Sequence, residues 1–228
     1  MNQGRTGAFS VFRLVAAAVL LGLTAVSAFL FVREAEQFKR GFLSDSEAFL
    51  HWSAPEHRKV ITTNAQIELL TGCIYALESW KTAFEARDAV LTVARNCADE
   101  ADGILAYNAQ LSEAYFLKAY NAFLLEDDAQ VRVQLAQAQA TAPTDQWLAV
   151  RRVNLAQKLW PGEPSIGAYD LKHDLGLLIA SNNGLDTATR LYIRYPSLRD
   201  LIIEATEPLN DADRVRFLNR LTRAVRRL

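Results

Sequence analysis

The sequence predicts an all-α protein, with one N-terminal transmembrane helix ahead of a body of helical hairpins. Three observations carry this expectation. Leu14 to Val32 is a run of 19 residues without a charge, bounded by Arg13 and Arg33. Glycine (10) and proline (6) are sparse while alanine and leucine are abundant, so helix formers far outweigh breakers. Beyond Thr63 the apolar residues recur at spacings of three and four, and no period-2 stretch of any length competes. The expected organisation is a signal-anchor over 1–33, a connector over 34–62 and an extracytoplasmic helical domain over 63–228.

The apolar run is close to the ~20 residues a helix needs to cross a hydrocarbon core. Met1 to Arg13 carries Arg5 and Arg13 and no acid, whereas Arg33, Lys39 and Arg40 follow the run with Glu34 and Glu36 among them. Two cations against three leave orientation open by the positive-inside comparison. The very short N-terminal arm points to a signal-anchor with the body exported. A cleavable signal peptide stays open, since Val26-Ser27-Ala28 offers small residues for cleavage. Phe29 to Val32 continue the apolar run past that site, which favours the anchor. Both readings export the body.

In the connector, Phe38, Phe42, Phe49 and Trp52 are aromatic anchors, and Ser53-Ala54-Pro55 is the first clear break. Ile67, Leu70, Ile74 and Leu77 then follow one helix face, and Phe84, Ala89, Val90, Val93, Ala94 and Cys97 the next. Cys73 and Cys97 are the only cysteines. An even count in an exported chain reads as one disulfide, with two buried free thiols as the alternative.

From Ser112, Tyr115, Ala119, Tyr120 and Phe123 mark one helix, Glu126-Asp127-Asp128 a polar turn, and Val131, Leu135 and Ala138 a second helix closed by Pro143. This 34-residue unit resembles a tetratricopeptide repeat (TPR). Tyr115 stands at the family's aromatic position, Ala119 and Ala138 at its small-residue positions and Pro143 at its terminal proline. Lys118 departs from the usual leucine and Glu126 from the usual glycine. The stretches 64–99 and 146–180 would be degenerate neighbouring hairpins. Thr144 or Asp145 can cap the helix bearing Trp147, Leu148, Val150, Val153, Leu155 and Leu159. Trp160 to Pro164 is the strongest loop signal. Helices over Leu171–Leu178, Leu185–Tyr195, Leu198–Glu204 and Asp211–Leu228 complete the chain.

Ala142 to Ala149 with Arg151-Arg152-Val153, then Asp174 to Leu178, then Arg216-Phe217-Leu218 are similar to phrases in short alphaproteobacterial envelope proteins. Those proteins accompany genes for surface polysaccharide synthesis and export. The resemblance implies an accessory in envelope glycan assembly, single-pass in the inner membrane with its body in the periplasm.

No nucleophile elbow, P-loop, dinucleotide fingerprint or His-Glu-x-x-His motif occurs. The net charge of −1 provides no global attraction to nucleic acid. Asp170, His173 and Asp174 share a helix face, yet such trios arise often on polar faces, and a closed metal site wants four ligands. His51 and His57 read as solvent-exposed polar residues. The four tryptophans read mainly as core, with Trp160 the best candidate for stacking on a sugar. No catalytic residue, cofactor or metal is therefore expected. The last helix has Leu218, Leu221, Val225 and Leu228 at 3, 4, 3 spacing among six arginines. It reads as a docked helix with a solvated basic face, or as a surface for anionic lipid headgroups, an acidic glycan or an acidic partner. Tyr115, Lys118 and Asn121 on the central hairpin and Arg216, Arg220, Arg223 and Arg227 on the last helix are the candidate partner-binding residues.

The expected function is a non-catalytic, membrane-anchored scaffold for a partner protein in envelope polysaccharide biosynthesis or export. The alternative is a structural subunit whose span packs in a larger membrane complex through Gly22, Thr24, Ala25, Ser27 and Ala28.

Overall fold

The computed structural model describes residues 5–40, 45–54, 60–159 and 165–226. Among the described residues the chain forms eleven α-helices and a two-stranded ladder of two residues per strand. Helix α1 (Arg5–Arg40) is one continuous rod. Its Leu14–Val32 stretch is long and apolar enough to span a membrane, and none of it is buried against the body. The connector contains α2 (Asp45–Ser53), whose Phe49 is buried and whose Trp52 carbonyl accepts from Asn96 Nδ2 at 2.9 Å.

Helices α3 (Thr63–Glu78) and α4 (Arg87–Leu105) pack together with α2. Thr62 starts α3 by accepting the Ala65 amide on its hydroxyl, which satisfies one of the orphan donors of the first turn. Leu70, Cys73, Ile74 and Leu77 bury one face of α3 against Val93, Ala94, Cys97 and Ala101 of α4. Cys73 and Cys97 are joined in a disulfide with a Cα–Cα distance of 5.8 Å. A 3-10 turn, Trp80–Phe84, connects the two helices.

Helices α5 (Ser112–Leu124) and α6 (Asp128–Thr141) form the central hairpin, with Ala114, Leu117 and Ala119 buried against Val131, Leu135 and Ala138. The turn is tight because the Asp127 amide reaches back to the Ala122 carbonyl at 2.9 Å. That geometry requires a left-handed residue, and Glu126 adopts φ 61° there. A glycine would hold this conformation without the Cβ clash that Glu126 bears.

Helix α7 (Gln146–Leu159) is capped by Asp145, whose Oδ1 accepts from the Leu148 amide at 3.0 Å. Strands β1 (Ser165–Ile166) and β2 (Tyr169–Asp170) pair antiparallel, too short a ladder to leave a periodic signal in sequence. The remaining helices are α8 (Leu171–Ala180), α9 (Leu185–Arg194), α10 (Arg199–Thr206) and α11 (Asp211–Val225). Helix α8 is the hub of this half, touching α7, α9, α10 and α11. At Gly176 an added Cβ would stand 3.3 Å from the Ala205 carbonyl, so the small residue sets how closely α10 approaches. Gly184 is tighter, with Leu178 backbone atoms 2.7 Å from where a Cβ would lie.

A buried polar network ties the halves together. Arg152 of α7 grips Asp174 of α8 with two parallel bonds, Nε to Oδ2 at 2.7 Å and Nη2 to Oδ1 at 2.9 Å. Arg152 Nη1 also donates to the Ala138 carbonyl at 3.2 Å, an oxygen that the Ser112 hydroxyl shares. Tyr169 donates its hydroxyl to Asp174 Oδ2 at 2.9 Å. All three side chains are fully buried, so each charge and hydroxyl has a partner where water is excluded.

Burial of Tyr169, with Asp174 beside it, pushes its phenol well above the usual value of 10.0; burial pushes Tyr120 up to about 12, aided by Glu78. Both pKa values are raised in the folded state, so the tyrosines' contribution to stability is complete below pH 10; that of Tyr120 disappears as pH rises through about 12, and that of Tyr169 is likewise lost only well above pH 10. A titration that follows tyrosinate absorbance and helical circular dichroism together should show ionisation of these two tyrosines coinciding with loss of helix, well above pH 10. Ionisation complete near 10 with the helix intact would contradict the buried arrangement.

Candidate functional site, a basic groove between α9 and α11

Helices α9 and α11 lie side by side in the C-terminal part of the chain. Asn210 starts α11 by accepting the Asp213 amide at 2.9 Å. Phe217 is the one α11 side chain that is fully sunk into the core, and it meets Tyr192 of α9 edge-on at 6.4 Å. Arg216 fastens the helix from another side: its Nη2 donates to the Ala180 carbonyl at 2.6 Å, at the C-terminal end of α8. A guanidinium there meets orphan carbonyls and the negative end of the helix dipole.

Between the two helices runs a groove of about 430 Å³. Thr189, Ile193 and Ala224 supply its less polar surface, and Arg190, Arg194, Arg220 and Arg223 flank it with Asp186. Four guanidinium groups against one carboxylate leave a surplus of three positive charges. Asp186 engages only Arg220, at 2.5 Å. Among the described residues no carboxylate pairs with Arg190, Arg194 or Arg223; Arg194 lies 5.5 Å from the Tyr195 ring centre and Arg223 Nε donates to the Asn219 carbonyl. Unpaired guanidinium groups beside an apolar floor suit a ligand with carboxylates or phosphates on an apolar body.

The sequence-predicted residues fall into different roles. Arg220 and Arg223 line this groove, Arg216 docks α11 and also pairs with Asp213 at 2.9 Å, and Arg227 lies outside the described residues. Tyr115, Lys118 and Asn121 follow one another along α5 and are all half-buried. Tyr115 donates to the Ala109 carbonyl at 3.2 Å and Lys118 pairs with Asp102 at 2.6 Å. The Asn121 side-chain oxygen is buried without a hydrogen-bond partner. Arg190 and Arg194 were not foreseen. Their i, i+4 spacing was legible, but nothing local shows that α11 brings two more arginines opposite them.

Asp170, His173 and Asp174 do not converge. Asp170 caps α8 through the His173 amide, the His173 ring meets the Pro143 carbonyl at 2.9 Å, and Asp174 turns inward to Arg152. Trp147 is covered by Arg151, whose guanidinium lies 3.6 Å from its ring centre. Trp160 and His57 lie outside the described residues.

No protein-family model, curated protein or solved structure matches this chain, so the groove is interpreted from its own chemistry.

Proposed function

We propose that this chain is a non-catalytic, membrane-anchored adaptor that holds an acidic segment of a partner protein in the α9–α11 groove. The observation that carries this reading is the set of three arginines, paired with no carboxylate among the described residues, around a mainly apolar floor. A groove between two helices accepts a third helix or an extended segment, and carboxylates on that segment would meet the arginines bidentately. The apolar Leu14–Val32 helix supports anchoring, and the very short arm before it favours a body in the periplasm. The TPR-like pattern of the central hairpin supports a scaffold. Similarity of the Ala142–Ala149 and Asp174–Leu178 phrases to envelope proteins supports a partner in surface polysaccharide synthesis or export.

The test is crosslinking in native cells with an affinity-tagged chain, comparing wild type with Arg190→Glu/Arg194→Glu. Wild type should recover a polysaccharide polymerase, exporter or glycosyltransferase, and the variant should lose it. A charge-assisted hydrogen bond contributes about 1.5–3 kcal/mol, so each reversal should weaken binding by roughly tenfold or more. Both arginines are exposed, so the variant should keep the wild-type melting temperature. Unchanged recovery by the variant would remove the groove from the function. Recovery of a membrane complex in fixed ratio by the span alone would favour the structural-subunit alternative.

A further inference from the structure

The 3-10 turn between α3 and α4 carries the most exposed aromatic pair on the body. Trp80 is 66% exposed and Phe84 81% exposed, although their rings touch edge-on at 5.8 Å. Lys81 holds its ammonium 5.8 Å from the Trp80 ring centre. Neither aromatic contributes to the core. An aromatic pair kept out of the core and beside a lysine is unusual on a surface that faces only water.

The path of the chain from α1 through α2 to this turn argues for what covers it. The Leu14–Val32 stretch is unburied, and Ala35 just beyond it is half-buried. The contact between α1 and α3 therefore falls after the span. The eight residues from Arg33 to Arg40 continue the same helix and rise only about 12 Å. A bilayer's headgroup layer is itself about 5–8 Å deep on each side. The first body helices are thus held close above the headgroups. Four residues separate the end of α1 from the start of α2, which packs on the 80–84 turn. Leu50 on α2 is a further exposed apolar residue of the helix that packs on this turn.

We infer that Trp80 and Phe84 lie in the interface of the bilayer that Leu14–Val32 enters, forming a second membrane contact that fixes the tilt of the body. The inference rests on the anchoring part of the proposed function and is independent of the α9–α11 groove. Tryptophan favours the headgroup level, where its ring is shielded and its N–H stays wet. Lys81 can bury its methylenes beside the indole while its ammonium meets lipid phosphates. A body fastened at two points is held in one orientation above the bilayer instead of swinging on one helix.

The test uses the full chain in proteoliposomes of zwitterionic and anionic phospholipids, with bromine atoms at graded acyl-chain depths. Wild type is compared with Trp80→Phe, an exposed substitution that leaves the core untouched. The expected result is a blue-shifted emission component quenched by the shallowest bromines in wild type and absent from Trp80→Phe. Identical quenching in both proteins, with both resistant to carbonate extraction, would overturn the interface contact while leaving the anchor intact. Extraction of the wild-type chain by carbonate would overturn the anchor and the inference together. Protection of Trp80 from an aqueous quencher by a soluble glycan fragment, with no quenching from lipid, would assign the pair to sugar and overturn the inference as well.

Discussion

Asp174→Asn is expected to be the most damaging single substitution in the body, costing about 3–5 kcal/mol, the usual penalty for stranding one member of a buried ion pair. Asp174 and Arg152 are both fully buried and joined by two bonds of 2.7 and 2.9 Å. Asparagine has the same shape but leaves the guanidinium without a counter-charge in a site that excludes water. At about 2–4 °C per kcal/mol for a domain of this size, the melting temperature should fall on the order of 10 °C. The substitution acts on four elements at once, because the network links α6 through the Ala138 carbonyl, α7 through Arg152, β2 through Tyr169 and α8 through Asp174. An apolar replacement of the whole set, Arg152→Met with Asp174→Leu and Tyr169→Phe, should recover much of the loss, since no charge or hydroxyl is then stranded. Thermal melts of the three proteins decide the matter. A melting temperature within about 2 °C of wild type for Asp174→Asn would mean that the pair does not hold the halves together.

Removing the disulfide is expected to have the next largest effect. The bridge spans a sequence separation of 24. The chain-entropy relation assigns a closed loop of that length about 3.5 kcal/mol of destabilisation of the unfolded state. Cys73→Ala/Cys97→Ala should therefore lower the urea midpoint and steepen the slope, because the native surface is unchanged while the unfolded chain, freed of the crosslink, exposes more. Both sulfurs are fully buried between α3 and α4, so reductant should act on the native protein only as fast as that pair of helices opens. Equal midpoints for wild type and the double variant would show that the bridge adds nothing to stability. Loss here should also loosen the 80–84 turn, which joins the two bridged helices, and so weaken the lipid quenching of Trp80.

Both effects follow from residues whose types were plain in the sequence, but they were legible to different degrees. The two cysteines are paired as their even count suggested, because each has one possible partner within the chain. Arg152 and Asp174 are visible in sequence only as parts of similar phrases, and Asp174 reads beside Asp170 and His173 as one residue of an ordinary polar helix face. A helix face cannot be assigned to core or solvent when its polar residues have a buried partner on another helix. The same reasoning explains the tryptophans: Trp147 is covered by Arg151 from its own helix, while Trp80 sits in a 3-10 turn whose pattern carries no period to reveal which way its side chains face.

What the sequence determined by itself was local and periodic: helical character, the approximate place of the later helices, the apolar N-terminal run and the cysteine count. Each depends on residues within a turn or two of one another, where spacing maps directly onto geometry. The tertiary structure alone decided what depends on residues far apart in the chain. It brought Arg190 and Arg194 opposite Arg220 and Arg223, turned Asp174 onto Arg152 and kept Trp80 and Phe84 out of the core. Helix packing chooses these neighbours by how whole faces fit, and no window of sequence contains that choice.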